Sequence, residues 1–188
     1  MNKIEKKRIN DLYKISSCLT NLKIHHVIFD GALLGFIREK NLIKWDWDAE
    51  ISMRYSEYKE NLIKIIETID KLQIGSIKLN NSYENPKLTI NQNDFKYTLQ
   101  PFHYSKDKKI IFRKLYKYPA KYLDEISKFK INDYVFPIPK NPEDLLELEY
   151  GKNWRIPLKS TDKDEYLNSQ VYTRKNNKLF IKIFKFSE

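Results

Sequence analysis

The chain has 188 residues, enough for one domain with a sizeable core, and no Pro/Gly/Ser-rich linker divides it, so a single domain over residues 1–188 is expected. Its one cysteine, Cys18, excludes an internal disulfide; no Cys/His cluster has zinc spacing, and no apolar run reaches the length of a membrane span. The formal net charge of +10 rests on 35 basic residues, 29 of them Lys, spread along the chain without a recognition-helix or RNA-binding signature, so no specific nucleic-acid partner is expected.

A diffuse positive field suits an anionic donor, an anionic glycan or the inner surface of a membrane. The first residues, MNKIEKKRINDLYK, are charged throughout and lack the apolar centre of a signal peptide. A cytoplasmic location is expected, with peripheral association at the inner membrane face.

In chain order, Ile9, Leu12, Ile15, Leu19 and Leu22 recur at steps of three or four, which predicts a helix over 4–22 with one buried stripe. Residues 25–30 read as a short strand on which the adjacent His25 and His26 point opposite ways, so structural or solvated roles are expected for both. A short helix then opens at Asp30-Gly31-Ala32 and runs to Glu39. A strand that ends at a small-residue turn and a helix N-terminus offers free N–H groups to an anion.

The next segment carries Asp46, Asp48 and Glu50 at every second position. In an extended strand these face the same way, with roughly 6.6 Å between next-but-one neighbours along the backbone. Three like charges on one face repel unless something positive sits among them, and oxygen-loving dications, Mg²⁺ or Mn²⁺, are natural occupants. An exposed edge strand with solvated acids is the bland alternative. The adjoining phosphate-type turn favours transfer chemistry on a nucleotide-type donor. Trp45 and Trp47 either stack on a base or sugar or pack in the core, and Lys40 and Lys44 read as solvated loop residues.

Ser56 is the expected cap of a helix carrying Tyr58, Leu62, Ile65, Ile66, Ile69 and Leu72 and closed by Gly75. Residues 76–79, 87–91, 95–102 and 109–112 read as consecutive antiparallel strands. Phe95, Tyr97 and Leu99 should face the core; the opposite side, with Asp94, Lys96, Thr98 and Gln100, is either cleft or solvent. A Tyr-rich strand at 116–118, a helix over 119–129 and a strand over 134–138 follow. A helix capped by Asn141, with Pro142 first and Gly151 just past its end, comes next. The proline-punctuated stretch to Pro157 is a packing appendage or an acceptor-side wall, and 171–186 alternates as a hairpin would.

The run Asp30-Gly31-Ala32-Leu33-Leu34-Gly35 with Arg38, then Trp45-Asp46-x-Asp48-x-Glu50, resembles the LicD and fukutin-type phosphotransferases, a branch of the nucleotidyltransferase fold. The similarity continues through Tyr97 to Phe102, Tyr118-Pro119, and Pro139 followed by Leu145, Leu146, Tyr150-Gly151, Trp154 and Pro157. The resemblance implies an α+β fold: a nucleotidyltransferase-like mixed sheet flanked by helices, with a short helical or irregular C-terminal part. It also implies a metal-dependent transferase that moves a phospho-alcohol from a CDP-linked donor (choline, ribitol or glycerol) to a hydroxyl of a surface glycan, releasing CMP.

Residue by residue, Asp46, Asp48 and Glu50 match the family's metal-binding acids, with Glu50 in place of a more usual Asp and Trp47 in place of a usual acid. Gly31, Ala32 and Gly35 match its phosphate-binding turn and following glycine, and Arg38 its basic residue by the site. Thr98 stands where a further Asp normally completes the metal site or takes the acceptor's proton. A hydroxyl is no general base near pH 7. Asp94, on the same strand face, would lie roughly 13 Å away on a straight strand. The alternatives are an enzyme that moves a nucleotide and releases pyrophosphate, and a binding relative that does not turn over.

Overall fold

The computed structural model describes residues 2–160 together with Leu167 and Val171; the hairpin expected at 171–186 lies outside them. Helix α1 (Lys3–Asn21) is started by a reciprocal cap, in which Asn2 Oδ1 accepts from the Glu5 amide at 2.9 Å and Glu5 Oε2 accepts from the Asn2 amide at 3.0 Å. Such a cap contributes about 1 kcal/mol. The helix buries Ile9, Leu12, Ile15 and Leu19, the stripe that its periodicity predicts. Strand β1 (His26–Phe29) then runs straight into α2 (Asp30–Glu39).

Strand β2 (Asp48–Arg54) is followed without a break by α3 (Tyr55–Asp70). Ser56 is therefore not the cap. Arg54 holds that position without a side-chain capping bond, and its guanidinium instead binds Glu57 at 3.0 Å and Asp124 at 2.9 Å.

Strands β3 (Ser76–Asn80), β4 (Lys87–Gln92), β5 (Phe95–Tyr104), β6 (Ile110–Arg113) and β7 (Tyr116–Pro119) complete a mixed sheet whose main path is β1-β2-β5-β4-β3, with β6 and β7 continuing from β5. All neighbours are antiparallel except β2 and β5, which run parallel. Beyond them lie one turn of helix, α4 (Lys121–Asp124), a separate hairpin of β8 (Ile126–Ile131) and β9 (Tyr134–Pro139), and helix α5 (Pro142–Tyr150).

The helix expected over 119–129 is thus a single turn followed by a strand. Ile-Ser-Lys-Phe-Lys-Ile alternates at period two, and Phe129 and Ile131 turn inward while Lys128 and Lys130 stay outside. Cross-strand pairing with β9 decides between two readings of a short mixed segment.

One face of the sheet carries Ala49, Ile51, Tyr97 and Leu99 into a continuous apolar core. Helix α1 lies over this side, where the Tyr97 hydroxyl donates to the Arg8 carbonyl at 3.3 Å. The opposite face carries Asp48, Glu50 and Ser52 beside Lys96, Thr98 and Gln100 in strict register. A buried polar face on a central strand pair is the fold's least ordinary feature, since buried polar groups destabilise unless they are partnered.

Candidate active site

Phe29 pairs with Glu50, so the chain leaves β1 level with the middle of β2 and its first helical turn lands on the acids. Asp30 makes that corner with a left-handed backbone, φ 47°; L-residues rarely adopt it, and it clusters at functional corners. Gly31 follows, and even a methyl group there would crowd the acids. A Cβ there would stand 2.7 Å from Asp46 Oδ2 and 3.7 Å from Glu50 Oε2. The Ala32 amide donates to Glu50 Oε2 at 3.3 Å, so one N–H of the helix N-terminus already holds an anionic group.

Asp46 lies two residues ahead of β2, in a turn closed by its own amide on the Ile43 carbonyl at 3.0 Å. The acids are therefore not three steps of one strand. Asp46 reaches the group from a loop, with Oδ1 accepting from the Trp47 amide at 2.9 Å. Asp48 pairs with Lys96 at 3.7 Å across the parallel register.

Burial, then the Asp48 charge, pushes Asp46 up to about 6. Burial also raises Glu50 well above the carboxylate range, helped by Asp48, Asp30 and Asp46 in that order. A second acidic pair adjoins the first. The Tyr118 hydroxyl donates to Glu149 Oε1 at 3.2 Å and lies 3.5 Å from Asp30 Oδ1. Burial, with Asp30 beside it, raises Glu149 as well. Sequence reading missed Glu149. Its spacing, four after Leu145 and three after Leu146, puts it on the buried stripe of α5 and was the available signal.

Among the described residues no three His, Cys, Asp or Glu side chains surround one point as a finished metal cage. Thr98 sits opposite Glu50, fully buried, with its hydroxyl unpartnered. The face of Lys96, Thr98 and Gln100 is thus the acid face. Asp94 does not join it: it lies in the turn before β5, its exposed carboxylate 3.3 Å from Arg8.

Arg38 is at the far end of α2, seven residues or about 10 Å along the axis from Gly31. It donates to the Trp154 carbonyl at 3.3 Å and to Glu39 at 2.7 Å, not to the acids. Gly35 is a packing position, since a Cβ there would meet the Asn41 carbonyl oxygen at 2.6 Å and the Ile43 amide nitrogen at 2.8 Å.

Both tryptophans of the motif are outside the core: Trp45 is 42% and Trp47 65% exposed, and the Lys96 ammonium lies 3.9 Å from the Trp47 ring centre. Lys44 is exposed, and Lys40 lies over the Phe129 ring. The histidines have structural partners, as expected. His26 Nδ1 meets the Ile24 carbonyl and its Nε2 the Ser16 hydroxyl, while His25 Nε2 meets the Leu123 carbonyl.

A family model described as LicD/FKTN/FKRP, nucleotidyltransferase domain, matches residues 23–141. No curated protein matches the chain. Among solved structures, the antibiotic-resistance factor ANT(2″)-Ia in solution aligns with a TM-score of 0.50 at 10% identity, covering 72% of this chain and 66% of that one, just under two thirds of its length. The crystal structure of ANT(2″)-Ia with adenylyl-2″-tobramycin gives 0.50 at 10%, covering 71% and 70%. A candidate nucleotidyltransferase from Thermotoga maritima gives 0.46 at 16%, covering 74% and 80%. The two ANT(2″)-Ia likenesses concern the fold alone.

Proposed function

The chain belongs to the LicD/FKTN/FKRP family of nucleotidyltransferase domains, and from that premise we propose that it transfers a phospho-alcohol group from a CDP-linked alcohol to a hydroxyl of a cell-surface glycan and releases CMP. The observation that carries this reading is the meeting of Asp46 and Glu50 at Gly31, beside the first amides of α2. Anion-binding amides and a cation-seeking acid group lie within one helical turn, an arrangement that would suit a diphosphate accompanied by a divalent ion.

The donor set is all carboxylate, which suits Mg²⁺ or Mn²⁺ over softer metals. Asp48 and Glu50 would hold the ion, with Asp46 as a further ligand or hydrogen-bond partner; when bound it supplies charge neutralisation to the diphosphate. The chain's own contribution is chiefly positioning. The Gly31 amide takes a phosphate oxygen, and the Ala32 amide holds the Glu50 carboxylate beside it. The acceptor oxygen forms a bond to the phosphorus as the bond to the CMP oxygen breaks, and the acceptor's proton passes to a carboxylate. Thr98 cannot accept it, so Asp46, which enters from the loop rather than the sheet, is assigned that role.

Arg38 in this reading acts through the Trp154 segment that it holds. Acceptance of a membrane-delivered glycan at the inner face accords with the basic surface; among the described residues no helix is long and apolar enough to cross a membrane. The neutral Thr98 keeps one second reading alive, a relative that binds CDP-alcohols without turnover. Incubation with CDP-choline, CDP-ribitol and CDP-glycerol, with and without Mg²⁺, tests both. Metal-dependent CMP release supports transfer; release of pyrophosphate from a nucleoside triphosphate instead would make it a nucleotidyltransferase; calorimetric binding without product would make it a binding protein.

A further inference from the structure

One strand step beyond the acids, the same sheet face carries a second, oppositely charged group. Ser52 pairs with Gln100 in the parallel register. The antiparallel register of β4, with Leu88 opposite Leu99, continues to set Lys87 opposite Gln100. The β6 register, with Phe112 opposite His103, sets Arg113 opposite Phe102. Arg113 turns back toward Gln100, giving one Nη–H to the Gln100 side-chain oxygen and the other to Asn85 Oδ1 at 2.5 Å. Lys87 and Arg113 therefore converge over Gln100, about 6.6 Å along the strand from Thr98 and Glu50.

This group is short of partners. Arg113 is only 6% exposed, yet among the described residues neither it nor Lys87 forms an ion pair; the nearby Lys96 takes Asp48. Arg113 Nε, the Ser52 hydroxyl and the Thr98 hydroxyl are all buried without a hydrogen-bond partner. Lys87 is half-buried, so the place opens on its side. Its ammonium is held below the usual lysine range by burial and by the positive charges of Arg113 and Lys96, against the weaker pull of Asp48 and Glu50. Two cations crowded together at a buried face with donors to spare are costly unless an anion joins them. A guanidinium fork beside an ammonium matches the charge and the several oxygens of a phosphate better than a single carboxylate.

We propose that Lys87 and Arg113 form a phosphate-binding subsite, separate from the amides of α2, which takes a phosphate group of a substrate of the transfer reaction. The source of that phosphate, donor or anionic acceptor, rests on the reading of the acids as a transfer centre; the subsite itself is tested without transfer.

The experiment is calorimetric titration of the full chain with inorganic pyrophosphate in excess EDTA. Wild type should bind, and Asp48→Asn should bind at least as well, because it removes a negative charge from the neighbourhood. Lys87→Gln should weaken binding by about tenfold or more, with Lys87→Arg restoring it, and Arg113→Gln should do the same. Because Arg113 also anchors Asn85, its variant is read only alongside a melting curve, and Lys87, which makes no such bond, carries the decision. Equal affinity in Lys87→Gln, or no binding by wild type, overturns the proposal. Displacement of pyrophosphate by CDP-choline assigns the phosphate to the donor, and displacement by a sugar phosphate alone assigns it to the acceptor. Displacement by neither overturns its assignment to a substrate. Absence of CMP release with pyrophosphate binding intact would sink the transfer reading and leave the subsite standing.

Discussion

A methyl group at residue 31 is the smallest change that tests the site. Gly31 lies in the first turn of α2 without an unusual φ, so alanine suits the helix, but its Cβ would press on Asp46 Oδ2 at 2.7 Å. Gly31→Ala should leave the melting temperature within a few degrees of wild type while transfer falls by about tenfold or more, since misplacing a catalytic group is costly. Asp48→Asn should abolish metal-dependent CMP release with an unchanged circular dichroism spectrum. Retained activity would refute its role as ligand.

Asp46 gives a prediction in pH. Burial and the Asp48 charge push its folded carboxyl up to about 6, above the usual aspartate range, so between the two the native state holds more proton than the unfolded chain. Stability contributed by this group is therefore lost as pH rises through the window. In EDTA, Asp46→Asn should melt higher than wild type at pH 7.5, by the equivalent of about 1 kcal/mol for a half-buried acid, and the difference should vanish near pH 4. A lower melting temperature at pH 7.5 would show that the acids are not in conflict.

The acids were legible in the sequence because charge at period two is visible, though the strand starts only at Asp48 and Asp46 joins from its turn. Asp30 was read as part of the turn and not as an acid of the group; Glu149 was not read at all. Proximity between residues so far apart in the chain is a property of the fold, and no local pattern encodes it.

Among the elements, the loop between α2 and β2 is the one whose shape the site depends on. Gly35 lets the backbone of Asn41 and Ile43 close against the helix, and Ile43 in turn holds the Asp46 amide. Gly35→Ala must displace that backbone. It should destabilise the protein by about 1–3 kcal/mol and impair transfer as well, in contrast to Gly31→Ala. Denaturant melts compared with CMP release separate the two glycines. Helices α1, α2, α3 and α5 could be read in advance because each carries a long apolar stripe or strong punctuation. The hairpin of β8 and β9 could not be read as such: β8 follows a proline and a single helical turn, and only its partner strand settles its state.

For the whole molecule, repulsion among Asp30, Asp46, Asp48 and Glu50 sits in a chain with a net charge of +10, so the acids form a negative island in a positive field. A divalent ion that binds only the folded chain should raise the melting temperature. The gain is about 2.7 kcal/mol at a hundredfold excess over Kd. The rise should be larger at pH 7.5 than at 5.5, where protons compete for the same oxygens, and EDTA should reverse it. No rise with either Mg²⁺ or Mn²⁺ would remove the metal from the mechanism.

The parallel pairing of β2 with β5 also has a kinetic meaning. Glu50 meets Thr98 across 48 residues of chain (98 minus 50), with α3, β3 and β4 strung between them. Such a pairing closes a long loop before any contact rewards it, so it forms late. A nascent chain should acquire its helices and the β3–β4 hairpin first and its chemistry last, and refolding followed by donor binding should lag behind refolding followed by helical ellipticity.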